Sequence, residues 1–223
     1  DAIGYAEFSP PNLNTQGSKT QPDWLFKFFK DPITIRPNLQ VRMPSFNFTD
    51  SEWNSIIKAF QHMDERNLLI EDSFIVDITS SKFKAGAKLH EFGACNNCHF
   101  YGDVFPKQTD AKTWAPNLAM TKDRLRPDWI VEWLDNPAYI MPGTKMPAPY
   151  IPDSITLALD NAIDQWGIDI INLKGDRNAM LESLRDYMYS IDGEKDISSI
   201  IKEYFEINGY NFEEEDEEDF DDE

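Results

Sequence analysis

Five consecutive residues, Cys95-Asn96-Asn97-Cys98-His99, hold both cysteines of the 223-residue chain and one of its three histidines. Thiols three positions apart lie on the same side of one helical turn. C-x-x-C-H is the spacing at which such a pair adds to the two vinyl groups of a porphyrin to give a c-type haem. His99 comes next and would sit under the iron, where a neutral imidazole is a common proximal ligand. Three other uses of paired cysteines stand beside this one. Structural zinc needs four ligands, and besides Cys95 and Cys98 the chain has only His62, His90 and His99. A Cys2His2 set with His90 is arithmetically possible, but it lacks the histidine pair that usually follows downstream. A thioredoxin-type redox pair belongs in a βαβ pattern, and no alternation of strands and helices surrounds these residues. A disulfide across two residues is the remaining use. Covalent haem is the expectation carried forward.

The elements that must position this motif show themselves through an internal repeat. Pro11-Asn12-Leu13 recurs at Pro116-Asn117-Leu118, Pro22-Asp23-Trp24 at Pro127-Asp128-Trp129, Pro32 at Pro137 and Pro37 at Pro142, each pair 105 residues apart. Arg42-Met43-Pro44 then matches Lys145-Met146-Pro147, and both copies reach an amphipathic helix. In the first copy Thr49 and Glu52 are placed to form a capping box, ahead of an apolar stripe of Trp53, Ile56, Ile57, Phe60 and Met63. In the second, Asp176 precedes Met180, Leu181, Leu184, Tyr187 and Met188. The second copy has in addition a helix over about 81–93 leading into the cysteine motif. The first starts at Asp1, so a matching motif would fall upstream of the chain, and the N-terminal third reads as the back half of a second such domain. A linker at 67–80 has some strand character in Phe74-Ile75-Val76. An insertion after Met146 is expected to hold a helix from Asp153 to Trp166, and a last helix spans Lys195 to Asn208, stopped by Gly209. Alternation suited to sheets is otherwise scarce, so the fold class is all-α.

At this point the chain resembles class I c-type cytochromes. Cys95-Asn96-Asn97-Cys98-His99, then Ala115-Pro116-Asn117-Leu118, then Pro142-Gly143-Thr144-Lys145-Met146-Pro147 follow that family's order, and a closing helix comes last. The resemblance covers roughly 81–192. It implies a cytochrome c fold, with His99 and Met146 as proximal and distal iron ligands and the Pro116 carbonyl receiving the other imidazole N–H. Such a hydrogen bond fixes the ring's tautomer and orientation, and a thioether ligand raises the reduction potential relative to a second histidine. Two departures are a long stretch between His99 and Pro116 and the insertion after Met146; neither touches a ligand. Met141 lies five residues before Met146 and could compete, although an isolated methionine is most often core filler. Trp129 and Trp133, with Ile130 and Leu134, form a stripe that packs on a porphyrin or on a core, and Trp24, Phe28 and Phe29 form its counterpart in the first copy. His90 reads as a packing or solvent-edge histidine and His62 as an exposed one.

The expected domains are therefore a partial cytochrome c-like domain at 1–66, a linker at 67–80, a complete one at 81–193, and a helix with an acidic tail at 194–223. The leading function is single-electron transfer by one covalent haem c, as a subunit of a larger redox assembly. The alternatives are a haem enzyme with an exchangeable distal site and a structural haem-bearing subunit. A second haem, attached upstream or on another chain, would have Met43 as its distal ligand. The same resemblance implies an extracytoplasmic, in bacteria periplasmic, location, because the haem is attached there. The formal net charge of −19 argues against nucleic acid and anionic membranes as partners. Ten acids fall in the last eleven residues, Glu213 to Glu223, and without them the body still carries −9. The tail reads as a solvating terminus or as a docking element, and a redox partner would present a basic patch. No apolar run reaches the length of a membrane span. The absence of a basic-then-apolar leader, with Asp1 in first place, is the pattern of a processed product.

Overall fold

A computed structural model describes residues 13–37, 43–65 and 74–208. Pro11 and Asn12 of the first repeat, Arg42, the linker up to residue 73, Gly209 and the acidic tail at 213–223 lie outside the described residues. Those described are mostly helical, with three isolated β-bridges and no strand among them. In chain order the α-helices are α1 (Gln16–Lys19), α2 (Pro22–Lys30), α3 (Asp50–Met63), α4 (Ser81–Phe92), α5 (Thr121–Arg124), α6 (Pro127–Asp135), α7 (Pro137–Ile140), α8 (Ala162–Trp166), α9 (Ile168–Ile171), α10 (Arg177–Tyr189) and α11 (Ser198–Ile207).

Local chemistry sets the boundaries. Pro22 and Pro127 open α2 and α6 at a position where the missing N–H costs nothing. The capping box of α3 is formed in both directions: the Glu52 N–H donates to Thr49 Oγ1 at 3.3 Å and the Thr49 N–H to Glu52 Oε2 at 2.7 Å. Ser80 caps α4 by accepting from the Phe83 N–H, and Asp176 caps α10 by accepting from the Ala179 N–H.

The principal core forms where α10 crosses α4. Ala85 and Leu89 from α4, Trp129, Ile130 and Leu134 from α6, and Met180, Leu181 and Leu184 from α10 are all buried in it. The crossing is close because residue 86 is glycine; a Cβ built there would lie 1.8 Å from the Ser183 carbonyl oxygen. A second core joins Phe100, Ala111 and Trp114 to Ile197, Ile201 and Phe205, so the apolar face of α11 covers the loop that follows the cysteine motif. A third, in the N-terminal unit, holds Leu25, Phe29, Trp53 and Ile57.

The repeat extends to the backbone. Helices α1 and α2 recur as α5 and α6 with both ends displaced by 105 residues. The Trp24–Phe28 stack at 4.9 Å has its counterpart in Trp129–Trp133 at 5.2 Å. The two copies meet at equivalent residues: Thr20 and Leu125 form an antiparallel bridge, the Gln21 N–H donates to the Arg124 carbonyl, and the Arg126 N–H donates to the Lys19 carbonyl, both at 2.9 Å. Each of these pairs maps onto its mate when the copies are exchanged, so a local two-fold axis passes between them. The N-terminal unit is also tied to α11, where the Ser198 hydroxyl donates to Thr34 Oγ1 and accepts from the Thr34 N–H.

Four expectations need correction. The helix expected from Asp153 to Trp166 is broken: Asp153 accepts from the Thr156 N–H to start a 3-10 turn, Leu159 is extended, and α8 begins afresh at Ala162. Phe74-Ile75-Val76 forms no strand; Phe74 instead packs edge-on against Tyr189 with the Arg185 guanidinium over its ring. Met63, placed on the apolar stripe of α3, is 71 % exposed because the helix ends there. The last helix starts at Ser198, not Lys195, because Asp196 accepts from the Ser198 N–H and holds the chain in a turn.

Gly86→Ala should force α4 and α10 apart and lower the unfolding free energy by about 3 kcal/mol, the upper range for overpacking. Guanidinium unfolding of the full chain would show it, and an unchanged midpoint would mean that the crossing yields more easily than its geometry indicates.

Candidate functional site

Helix α4 ends at Phe92, and Ala94, with φ of 47°, turns the chain into a tight 3-10 turn over Cys95–Asn97. The His99 N–H donates to the Cys95 carbonyl at 2.9 Å, which folds the motif onto itself. Both cysteines are free thiols and half-buried. Burial pushes the Cys95 thiol up to about 11, with the neighbouring Cys98 adding to the rise. That is the opposite of the thiolate-favouring surroundings of a redox-active or zinc-binding cysteine.

His99 donates from Nδ1 to the Pro116 carbonyl at 2.7 Å. A carbonyl can only accept, so the proton is on Nδ1 and the Nε2 lone pair is the one left to ligate a metal. Burial lowers the His99 pKa, opposed by the bond to Pro116, and the imidazole is kept neutral at ordinary pH. Three further backbone ties hold the two segments in register: a parallel bridge between His99 and Ala115, the Ala115 N–H to the Cys98 carbonyl at 2.8 Å, and the Leu118 N–H to the Phe100 carbonyl at 2.9 Å. Asn117, 3 % exposed, locks the turn. Its side-chain oxygen accepts from the N–H groups of Gly102 and Ala119, and its amide donates to the carbonyls of Gly102 and Glu194.

Met146 is half-buried and packs against the principal core, as does Cys95. The Trp133 indole N–H donates to its sulfur at 2.9 Å, leaving the thioether a second lone pair. Met141 caps the end of α7 and is not part of that core. Trp129, 3 % exposed, stacks on Trp133, and its own Nε1 is buried with no acceptor among the described residues. His90 is buried, its Nε2 2.7 Å from the Tyr101 hydroxyl, and burial lowers its pKa to about 4. It is a packing histidine, while His62 is exposed. Met43 is half-buried against the third core, with Leu25, Phe29, Trp53 and Ile57, and so belongs to the N-terminal unit. No three His, Cys, Asp or Glu side chains converge among the described residues, so the Cys95, Cys98, His90 and His99 zinc set is not assembled.

The residues present fit a porphyrin held by two thioethers: a pair of free thiols, an imidazole with Nδ1 anchored, a fixed thioether on the same core as Cys95, and an indole N–H with no acceptor among the described residues. Set beside known proteins, the chain matches no family model, no curated protein and no solved structure. Sequence reasoning missed the clamp made by Asn117 and the bond from Trp133 to Met146. It could have noted that Asn117 stands in a repeated Pro-Asn-Leu, and that Trp133 lies one helical turn from Trp129 on the stripe it had already drawn.

Asn117→Ala removes four hydrogen bonds, three of them buried, and leaves their partners without replacements. It should cost about 2–4 kcal/mol and loosen the Pro116 carbonyl from His99. Chemical denaturation together with the ring-proton resonances of His99 would register both effects, and a variant as stable as the parent with the His99–Pro116 bond intact would remove Asn117 from this role.

Proposed function

We propose that the chain carries one covalent haem c on Cys95 and Cys98, has the cytochrome c fold over 81–193, and transfers single electrons. The observation that carries this reading is the His99 Nδ1–Pro116 carbonyl bond at 2.7 Å beside two free thiols, since it commits one imidazole nitrogen and leaves the other as the one that can ligate. When bound, haem c supplies a one-electron couple at its iron. The protein's part is to hold that couple without opening it to chemistry. His99 and Met146 would hold the iron, Trp133 fixes the Met146 sulfur, and the stacked Trp129 and Trp133 would help keep water away. With two protein ligands the iron would have no open site for a substrate, which suits an electron carrier better than a haem enzyme.

The acidic body suits docking to a redox partner with a basic patch, and the location is extracytoplasmic. The described residues contain no helix long and apolar enough to cross a membrane. The N-terminal unit belongs to the same reading: Met43 would serve a second haem completed by an upstream segment or a neighbouring subunit, within a larger redox assembly.

Acid–organic extraction of purified protein should leave the porphyrin on the polypeptide, and its release would sink the thioether assignment. In the loaded protein, Met146→Ala should lower the reduction potential and allow carbon monoxide or cyanide to bind. Spectra and ligand affinity unchanged from the parent would shift the distal role away from Met146.

A further inference from the structure

The loop after the cysteine motif gathers lysines in a chain whose net charge is −19. The Lys107 N–H donates to the Asn96 carbonyl at 2.9 Å and the Gln108 N–H to the Asn97 carbonyl at 3.0 Å, so the loop is laid along the two spacer residues of the motif. The Gln108 side chain meets the Cys98 thiol at 4.0 Å. Lys112 follows in the same loop, and Lys145 joins it from the Met146 segment, its Nζ donating to the Lys112 carbonyl at 3.4 Å. All three lysines are exposed. Elsewhere Lys30, Lys82, Lys88, Lys195 and Lys202 each pair with a carboxylate. Lys107 and Lys112 have no such pair among the described residues. Asp110, the acid between them, is engaged by the backbone, accepting from the Lys112 N–H at 2.9 Å.

Helix α11 ends beside this patch. Tyr204, in its last turn, packs on Phe105 and Trp114 and donates its hydroxyl to the Thr109 carbonyl at 3.4 Å, at a point between Lys107 and Lys112. Asn208, the next residue after the helix, is tied back to the Tyr204 carbonyl. The chain therefore leaves α11 within one helical turn of the lysine loop. The run of acids begins at Glu213, five positions further on. Five extended residues reach about 17 Å and the run itself about 35 Å more, which exceeds the extended length of 107–112. A segment tethered so closely meets its site at an effective concentration on the order of millimolar. A second copy is a poorer occupant, because two bodies of the same negative sign repel.

We propose that the acidic tail, Glu213 to Glu223, seats on Lys107, Lys112 and Lys145 of its own chain, beside the cysteine motif. Its ten acids outnumber the three lysines, so the seated tail makes a locally positive surface negative and presents its surplus carboxylates next to Cys98. The seating stands on the lysines and the tail alone. Its use, to dock the basic patch of a redox partner at the attachment site, rests on the reading above.

The test acylates the lysines of the purified full chain with an N-hydroxysuccinimide ester and follows each site by mass spectrometry. Lys107, Lys112 and Lys145 should react several-fold more slowly than in a chain ending at Asn208. The difference should vanish at about 1 M salt, where charges are screened beyond about 3 Å. Lys58 and Lys174, both exposed, should react alike in the two chains. If the shortened chain fails to fold, a full-length chain with neutral tail residues, Glu213→Gln, Asp216→Asn and so on through the run, should release the same three lysines. Equal rates at those lysines with and without the tail charges overturn the proposal and leave the haem reading intact. Protection that fades on dilution also overturns it, since the tail would then lie on a second copy, as does protection shared equally by Lys58 and Lys174. In the loaded protein, loss of the tail should slow electron exchange with hexaammineruthenium, a small cation, and speed it with ferricyanide, an anion. Rates indifferent to the tail overturn the docking use, and release of porphyrin on acid–organic extraction defeats the haem reading and that use together, while the labelling still decides the seating.

Discussion

The hydrogen bond from His99 to the Pro116 carbonyl is the constraint on which the site depends. It is a single bond, yet it closes the segment between the cysteine motif and the repeated Pro-Asn-Leu, and it can form only if both ends are held. One end is held by the turn at Ala94 and the self-bonded motif. The other is held by Asn117, whose four hydrogen bonds reach forward to Glu194 as well as back to Gly102. The intervening loop cannot fold away, because Phe100, Ala111 and Trp114 are capped by α11. The position of one imidazole thus draws on contacts as distant in sequence as Phe205.

Much of this arrangement was legible in the sequence because its signals are local. The capping box at Thr49, the Pro-led helices at Pro22 and Pro127, and the Met180–Leu184 stripe each depend on residues within one or two turns. The repeat was legible too, and the matched bounds of α1 with α5 and α2 with α6 give it a structural counterpart. What could not be read was set by partners far along the chain. The 153–166 segment has helical periodicity, but Asp153 and Gly167 impose turns that periodicity does not report. Phe74 to Val76 looks like a strand by composition, yet among the described residues no strand edge exists for it to pair with; tertiary packing on Tyr189 decided its course. At the site, the cysteines, His99 and Pro116 announced themselves by type and order, whereas the choice between Met141 and Met146 is informed by which of the two reaches the core.

The repeat also explains a feature that would otherwise be a defect. Position for position, Lys19-Thr20-Gln21-Pro22-Asp23-Trp24 answers Arg124-Leu125-Arg126-Pro127-Asp128-Trp129, with a cation five residues before each tryptophan. Within one copy that spacing has no evident use. Once Thr20 and Leu125 pair antiparallel, the direction of each segment is reversed relative to the other, and each cation is carried over its partner's ring. The two-fold axis and the crossed cations are therefore one fact: the bridge fixes the axis, and the axis fixes the exchange.

That exchange makes the two units unequal to any sum of separate halves. The backbone bonds at the axis are satisfied in both directions, but the side chains they bring along are like-charged, and bringing like charges together opposes association. The cation–π contacts at Trp129 and Trp24 offset part of that cost. Through Lys19 the N-terminal unit places a charge against Trp129, a residue of the principal core on which Cys95 and Met146 also pack.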